Sequence, residues 1–210
     1  QPDQVILTEE IPTAGVRFIN AVPDTGGMDF RPMDIVENVT FYNVNFKGTT
    51  LLYYKNARAG TRHFRIFRSP TAGDPPATQI AVASTVVADL PAEVLEAGKR
   101  YTYILWGLSR TGSTPAMKVT RITDDPPDPG AQVALRVINA CVPGSCGTSA
   151  DGVIDVRAFT AAQTIAAPAA LWSAVAPLTA STYQSVAAGA YTYDSRPAGG
   201  STVGAALASA

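Results

Sequence analysis

An internal repeat constrains this chain more than any other feature. Val16-Arg17-Phe18-Ile19-Asn20-Ala21 returns as Leu135-Arg136-Val137-Ile138-Asn139-Ala140, with Arg, Ile, Asn and Ala identical and apolar residues at the other two positions. A proline follows each copy, at Pro23 and Pro143. An apolar-Asp-apolar-Arg tetrad comes next, as Met28-Asp29-Phe30-Arg31 and Ile154-Asp155-Val156-Arg157. Further on, Ala59-Gly60-Thr61-Arg62-His63-Phe64 aligns with Ala188-Gly189-Ala190-Tyr191-Thr192-Tyr193. Kept order and similar spacing read as a duplicated domain.

Between the copies lies Thr123-Asp124-Asp125-Pro126-Pro127-Asp128-Pro129-Gly130, whose prolines and glycine extend neither strand nor helix. The expected organisation is an N-terminal extension over 1–13, a first repeat over 14–123, a semi-rigid linker over 124–130 and a second repeat over 131–210. The second copy stops where the first has reached about Ser84, so its last strands have no counterpart. A shortened chain, a disordered tail or a strand taken from elsewhere would each account for that.

Within each copy the segments read as short strands. Thr61–Arg68 and Arg100–Trp106 are rich in aromatic and β-branched residues, and Gln79–Val87 alternates apolar with small or polar ones. Val16–Ile19, Asn38–Val44 and Met117–Ile122 also fit strands, and Pro91 suits the opening of a brief helix over Ala92–Ala97. Many short strands with Gly and Pro turns point to an all-β chain of antiparallel sandwiches or barrels.

Charged residues make up 16% of the chain against roughly 25% in an ordinary domain, while 46% are hydrophobic. That balance excludes disorder and suits export or docking against another protein. A net charge of -1 supplies no field to draw nucleic acid. No apolar run approaches the roughly 20 residues that span a bilayer. An opening of Gln1-Pro2-Asp3-Gln4 reads as a processed mature form, as left by removal of an export signal, with room for a lipid-bearing cysteine upstream of Gln1. Localisation in the periplasm or at the cell surface is the expectation. Cys141 and Cys146 flank a Pro-Gly turn, which brings their sulfurs together, so a short disulfide loop is expected. A zinc site lacks ligands, since the one histidine is His63.

Catalytic signals are weak. A Ser-His-Asp arrangement must use His63, which sits mid-strand, and Gly-x-Ser-x-Gly, P-loop and dinucleotide fingerprints are absent. A carboxylate pair among Asp24, Asp29, Asp34 and Glu37 would suit glycoside cleavage, but Asp29 recurs as Asp155 in the repeat and is read as structural. Calcium ligands are conceivable among Asp124, Asp125 and Asp128, or Asp24 and Asp29, although a solvated linker explains the first group. No cofactor is expected.

The most informative charge feature is a segregation. Asn38 to Gly73 contains no Asp or Glu but holds Lys47, Lys55, Arg58, Arg62, Arg65 and Arg68, interleaved with aromatics that include Tyr53 and Tyr54. Residues 1–37 hold seven acids against Arg17 and Arg31. Arg and Tyr are favoured at protein interfaces, and a basic strip also suits anionic lipid headgroups. Alternation sends Arg65 to the opposite side of its strand from Arg62 and Arg68, which divides the strip. The second copy carries few charges, as a partly covered surface would. Its Trp172, after Pro168, reads equally as a core plug or an interface anchor.

These motifs resemble the bacterial exported tandem-repeat family called domain of unknown function 4397. The resemblance rests on Arg17-Phe18-Ile19-Asn20-Ala21-Val22-Pro23-Asp24, the Asp29-Phe30 pair, the Ala59-Gly60-Thr61 turn, the Gly98-Lys99-Arg100-Tyr101-Thr102 strand and the Asp124-Asp125-Pro126 junction. It implies exported or cell-surface proteins, often lipid-anchored, built of immunoglobulin-like sandwich domains, with no catalytic residues to carry over. The second copy departs from the pattern in its cysteine-bearing loop and its later Asp155-Val156 pair. The expected function is a non-catalytic extracytoplasmic structural protein that docks onto a protein partner. One version is an accessory periplasmic subunit of a membrane complex, of which a photosynthetic reaction centre is an example. The alternatives are a cell-surface carbohydrate- or polymer-binding module and a carboxylate-pair hydrolase.

Overall fold

A computed structural model describes residues 10–48, 53–71, 73–143, 151–160, 162 and 169–200. The described residues are mostly β with one short helix, and the chain divides into two compact units: residues 1–105 with 118–124, and residues 106–117 with 125–210.

The first unit begins with β1 (Thr13–Asn20), in which Ala14, Val16, Phe18 and Asn20 are buried in strict alternation. It continues through β2 (Met28–Pro32), β3 (Phe41–Val44), β4 (Lys55–Arg58), β5 (Gly60–Arg62), β6 (Phe64–Arg68), α1 (Pro76–Ala83), β7 (Val86–Asp89), β8 (Glu93–Leu95), β9 (Arg100–Trp106) and β10 (Lys118–Thr123). One sheet has the order β10-β9-β1-β4 and the other β3-β2-β6-β7, with β5 and β8 paired separately. The expected antiparallel pairing holds except along one seam. There β1 runs parallel to β9, with Gly15 opposite Arg100 and Asn20 opposite Leu105.

Side chains of the two four-stranded sheets meet in an aromatic core. Phe18 of β1 stacks on Phe30 of β2 at 5.1 Å between centroids, and Phe30 also meets Phe64 at 4.7 Å and Tyr103 at 5.0 Å. Each such ring removes enough apolar area from water to contribute about 1.5–3 kcal/mol.

Two local expectations are corrected. The helix lies at Pro76–Ala83 and overlaps the span read as a strand from Gln79 to Val87. Pro76 sits at the start, where its missing N–H costs nothing, and Gln79 Nε2 donates to Asp74 O at 2.6 Å. The residues expected to form a helix, around Glu93–Leu95, are instead the strand β8, because Leu95 is needed in the core and pairs opposite Gly60. After β9, Gly107 turns at φ 96°, and a Cβ there would meet Ala116 O at 2.4 Å, so only glycine fits.

The second unit contains β11 (Gln132–Leu135), β12 (Ile138–Asn139), β13 (Ile154–Phe159), β14 (Trp172–Val175), β15 (Thr179–Ala180), β16 (Gln184–Ala187) and β17 (Thr192–Pro197). Its sheets are β14-β13-β17, β11-β16 and β12-β15. Ile154, Val156, Trp172 and Val175 form its core, with Leu135, Val137, Leu171 and Tyr193 packed against them. Where β1 is one strand flanked by β4 and β9, its counterpart is broken into β11 and β12, whose described partners are β16 and β15.

The recurring letters do the same work in both units. Asn20 Nδ2 donates to Val44 O at 3.0 Å, and its Oδ1 accepts from Val22 N at 3.1 Å. Asn139 Nδ2 donates to Val175 O at 2.9 Å and to Gly152 O at 3.0 Å, and its Oδ1 accepts from Cys141 N at 3.0 Å. Asp29 Oδ1 accepts from Asn43 N at 2.9 Å, and Asp155 Oδ1 accepts from Ala174 N at 2.7 Å. Asn43 and Ala174 are left-handed residues at φ 48° and 51°, each in the strand paired with its aspartate. Arg17 lies 4.7 Å over Tyr54, and Arg136 lies 4.8 Å over Tyr183. Replacing Asn20 or Asn139 by Ala strands buried backbone groups. Each replacement is expected to cost about 1–3 kcal/mol per stranded group, read as a fall in the urea midpoint of the unit concerned.

Candidate functional site

The acid-free span folds over β3–β6, and the structure sorts its six cations by whether an acid reaches them. Arg62 is buried. Its Nε and Nη2 donate to the two oxygens of Asp34 at 2.9 and 3.0 Å, its Nη1 to Glu37 Oε1, and Nη1 also to Arg58 O at 3.2 Å. His63 N adds a bond to Asp34 at 3.2 Å, and Arg58 N one to Glu37 at 3.0 Å. Burial works to raise the Asp34 carboxyl. The Arg62 fork, the backbone amides and the Arg62 charge outweigh it and hold the group below its ordinary range. Arg62 is therefore a cross-tie between the acidic and basic parts of the unit and no part of a surface strip.

Arg65 is also paired, through Nη2 to Asp89 Oδ2 at 2.7 Å, and His63 Nε2 meets Asp89 Oδ1 at 2.7 Å. Those two contacts, Arg65 first, hold the Asp89 carboxyl at about 2. Among the described residues Lys47, Lys55, Arg58 and Arg68 have no acidic partner. Lys55 Nζ donates to Thr40 O and lies 4.9 Å over Phe41, while Lys47 lies 5.2 Å over Phe46. Three of the four, Lys47, Lys55 and Arg58, occupy the turn after β3 and the strand β4, whereas Arg68 ends β6 opposite Met28.

The aromatic candidates divide in the same way. Tyr53 is 48% exposed and stacks on Phe41 at 6.2 Å. Tyr54 is half-buried between Arg17 and Arg100, at 4.7 and 5.5 Å, and burial raises its hydroxyl. Trp172 is a core residue of the second unit, with its Nε1 donating to Thr182 O at 3.1 Å, so of its two readings the core plug stands. Tyr42 at 68% exposure and Phe46 at 37% join the corner without having been singled out as site residues. Both lie in the acid-free span, and alternation with buried Val39 and Phe41 places Tyr42 outward. At the β3–β4 corner, where each strand ends its sheet, Tyr53 and Lys55 share contacts with Phe41 and Lys47 lies on Phe46, whereas Tyr42 packs by Arg31 at 5.8 Å and Arg58 alternates to the opposite face of β4 from Lys55.

The equivalent corner of the second unit carries no charge. Leu135 faces Gln184 where Val16 faces Lys55, so Gln184 replaces Lys55, Thr182 replaces Tyr53 and Ala187 replaces Arg58. A groove of about 550 Å³ opens there between β14 and the segment from Thr179 to Gln184.

Three of the four carboxylate-pair candidates are engaged with arginines: Asp29 with Arg31, and Asp34 and Glu37 with Arg62. Asp124 accepts from Thr102 Oγ1, which in turn accepts from Arg17 Nη2 at 2.9 Å. Among the described residues no cluster of three potential metal ligands occurs. The Cys141–Cys146 pairing falls outside the described residues, because Cys146 is not among them.

A family model described as "Domain of unknown function (DUF4397)" matches residues 14–143, which takes in the strands of the first unit, the linker and the opening strands of the second. No curated protein matches the chain.

The Asp89 geometry gives a pH prediction with a definite sign. Its folded carboxyl is held at about 2 against an ordinary 3.8, so it favours the folded state above about pH 4 and that contribution disappears as pH falls through about 2. The melting temperature of Asp89→Asn should lie below that of the parent protein at pH 5, and the gap should shrink to a small fraction of its pH 5 value by pH 2. A gap at pH 2 as large as at pH 5 would assign Asp89 a role other than its charge.

Proposed function

The chain belongs to the DUF4397 family, and from that premise we propose that it is a non-catalytic extracytoplasmic module that docks onto an acidic surface of a protein partner within a larger membrane-associated assembly. The reading takes each unit as an immunoglobulin-like sandwich and the β3–β4 corner of the first as the contact surface. It is supported by Lys47 and Lys55, without acidic partners, lying on Phe46 and Phe41 beside exposed Tyr53. Lysine on an end strand also deters sheets from pairing edge to edge. That role needs no exposed aromatic rings, and rings beside cations are what interface cores favour. An acidic partner would neutralise the cations and bury the rings, and the attraction would weaken with salt over a screening length of about 8–10 Å.

The test uses mildly solubilised native membranes separated by size, with the chain followed by mass spectrometry. Co-migration with a large complex is expected. Lys47→Glu/Lys55→Glu is expected to release it at least about tenfold more readily, a loss of about 1.4 kcal/mol. Migration of the parent chain at its own mass sinks the reading. Sedimentation of the purified chain with vesicles of anionic lipid, in place of a complex, would transfer the same corner to headgroups.

A further inference from the structure

The groove in the second unit is a separate feature, and its origin can be traced residue by residue. In the first unit the Phe41–Tyr53 stack and Lys55 over Phe41 fill the space between β3 and β4. In the second, Trp172 stands in the place of Phe41, but Thr182 and Gln184 stand in the places of Tyr53 and Lys55. Two large side chains have become small or shorter ones, and the groove of about 550 Å³ is what they leave.

Its lining contains no Asp, Glu, Lys, Arg or His. Ser173, Thr182 and Gln184 are exposed in it, and among the described residues their side chains have no hydrogen-bond partner. Hydroxyl and amide groups both donate and accept, as sugar hydroxyls do. A charged ligand would lose its hydration there without finding a counter-charge. An extended peptide would need a continuous row of backbone groups along β14. Ala174 breaks that row, because it is left-handed at φ 51° and its N–H is turned to Asp155 Oδ1. Recognition therefore falls to the side chains.

We infer that this groove binds an uncharged oligosaccharide, held by hydrogen bonds from Ser173, Thr182 and Gln184. With the Trp172 ring buried, no aromatic platform adds to it, so the affinity is modest, about 1 μM to 1 mM. The inference concerns the second unit and stands or falls apart from the docking corner of the first.

The test is titration of the isotope-labelled full chain with cellohexaose, maltohexaose and chitohexaose, with a polygalacturonate hexamer as the acidic control, followed by amide chemical shifts. Saturable shifts at Ser173 and over Thr179–Gln184 with at least one neutral sugar, and none with the acidic one, are expected. Thr182→Tyr/Gln184→Lys restores the side chains of the first unit and should weaken binding at least about tenfold. Gln184→Glu, a single exposed change, should do the same if the double variant fails to fold. No shift with any of the three neutral sugars overturns the inference. So do shifts confined to other residues, undiminished binding by a folded variant, or binding of an uncharged peptide instead.

Discussion

Both units depend on one recurring contact, an aspartate on an inner strand accepting a backbone N–H from a left-handed residue on its neighbour. Asp29 does this for Asn43 and Asp155 for Ala174. A left-handed alanine or asparagine inside a strand is unfavourable by itself and turns its amide out of the ladder. The carboxylate makes the conformation tenable, and the bulge then decides which side chains of the outer strand face inward. Phe41 and Val44 are buried in the first unit while Tyr42 faces solvent, and Trp172 and Val175 are buried in the second while Ser173 faces the groove. The charge-bearing corner and the uncharged groove are thus two surfaces presented by the same bulge.

The two aspartates are satisfied beyond that contact by different means, which shows how much freedom the motif leaves. Arg31 and the Ser69 hydroxyl complete Asp29, whereas Gly199 N donates to Asp155 at 2.9 Å. The requirement is for donors around a buried carboxylate, and several residue types supply them. Asn20 and Asn139 are less replaceable, since each uses its amide both to donate across to the next strand and to accept from its own turn. No other side chain of that length does both.

The repeat was legible in the sequence because the residues that carry these contacts cannot change without stranding a partner. Arg17, Asn20 and Asp29 return as Arg136, Asn139 and Asp155 for that reason. Less legible was anything settled by distant pairing. Gln79 to Val87 alternates like a strand, yet Pro75 and Pro76 start a helix and the alternation counts for little on an element with no buried residue. Arg62 read as one more cation in a strip because its acids, Asp34 and Glu37, lie some 25–28 residues earlier in the chain. The groove left no mark in charge or aromaticity, being defined by what Thr182 and Gln184 lack beside Tyr53 and Lys55.

The parallel seam between β1 and β9 bears on the order in which the first unit becomes whole. Arg17 and Thr102, which face each other across it, are 85 residues apart. β1 leaves the ribosome early but waits for most of the unit to follow before its second neighbour exists, and closing so long a loop is an entropic cost met late. During that interval one side of β1 is an unsatisfied template. A chain with this topology is poorly suited to folding as it is made. It gains from a period in which its strands are kept apart until β9, the second neighbour of β1, has been delivered.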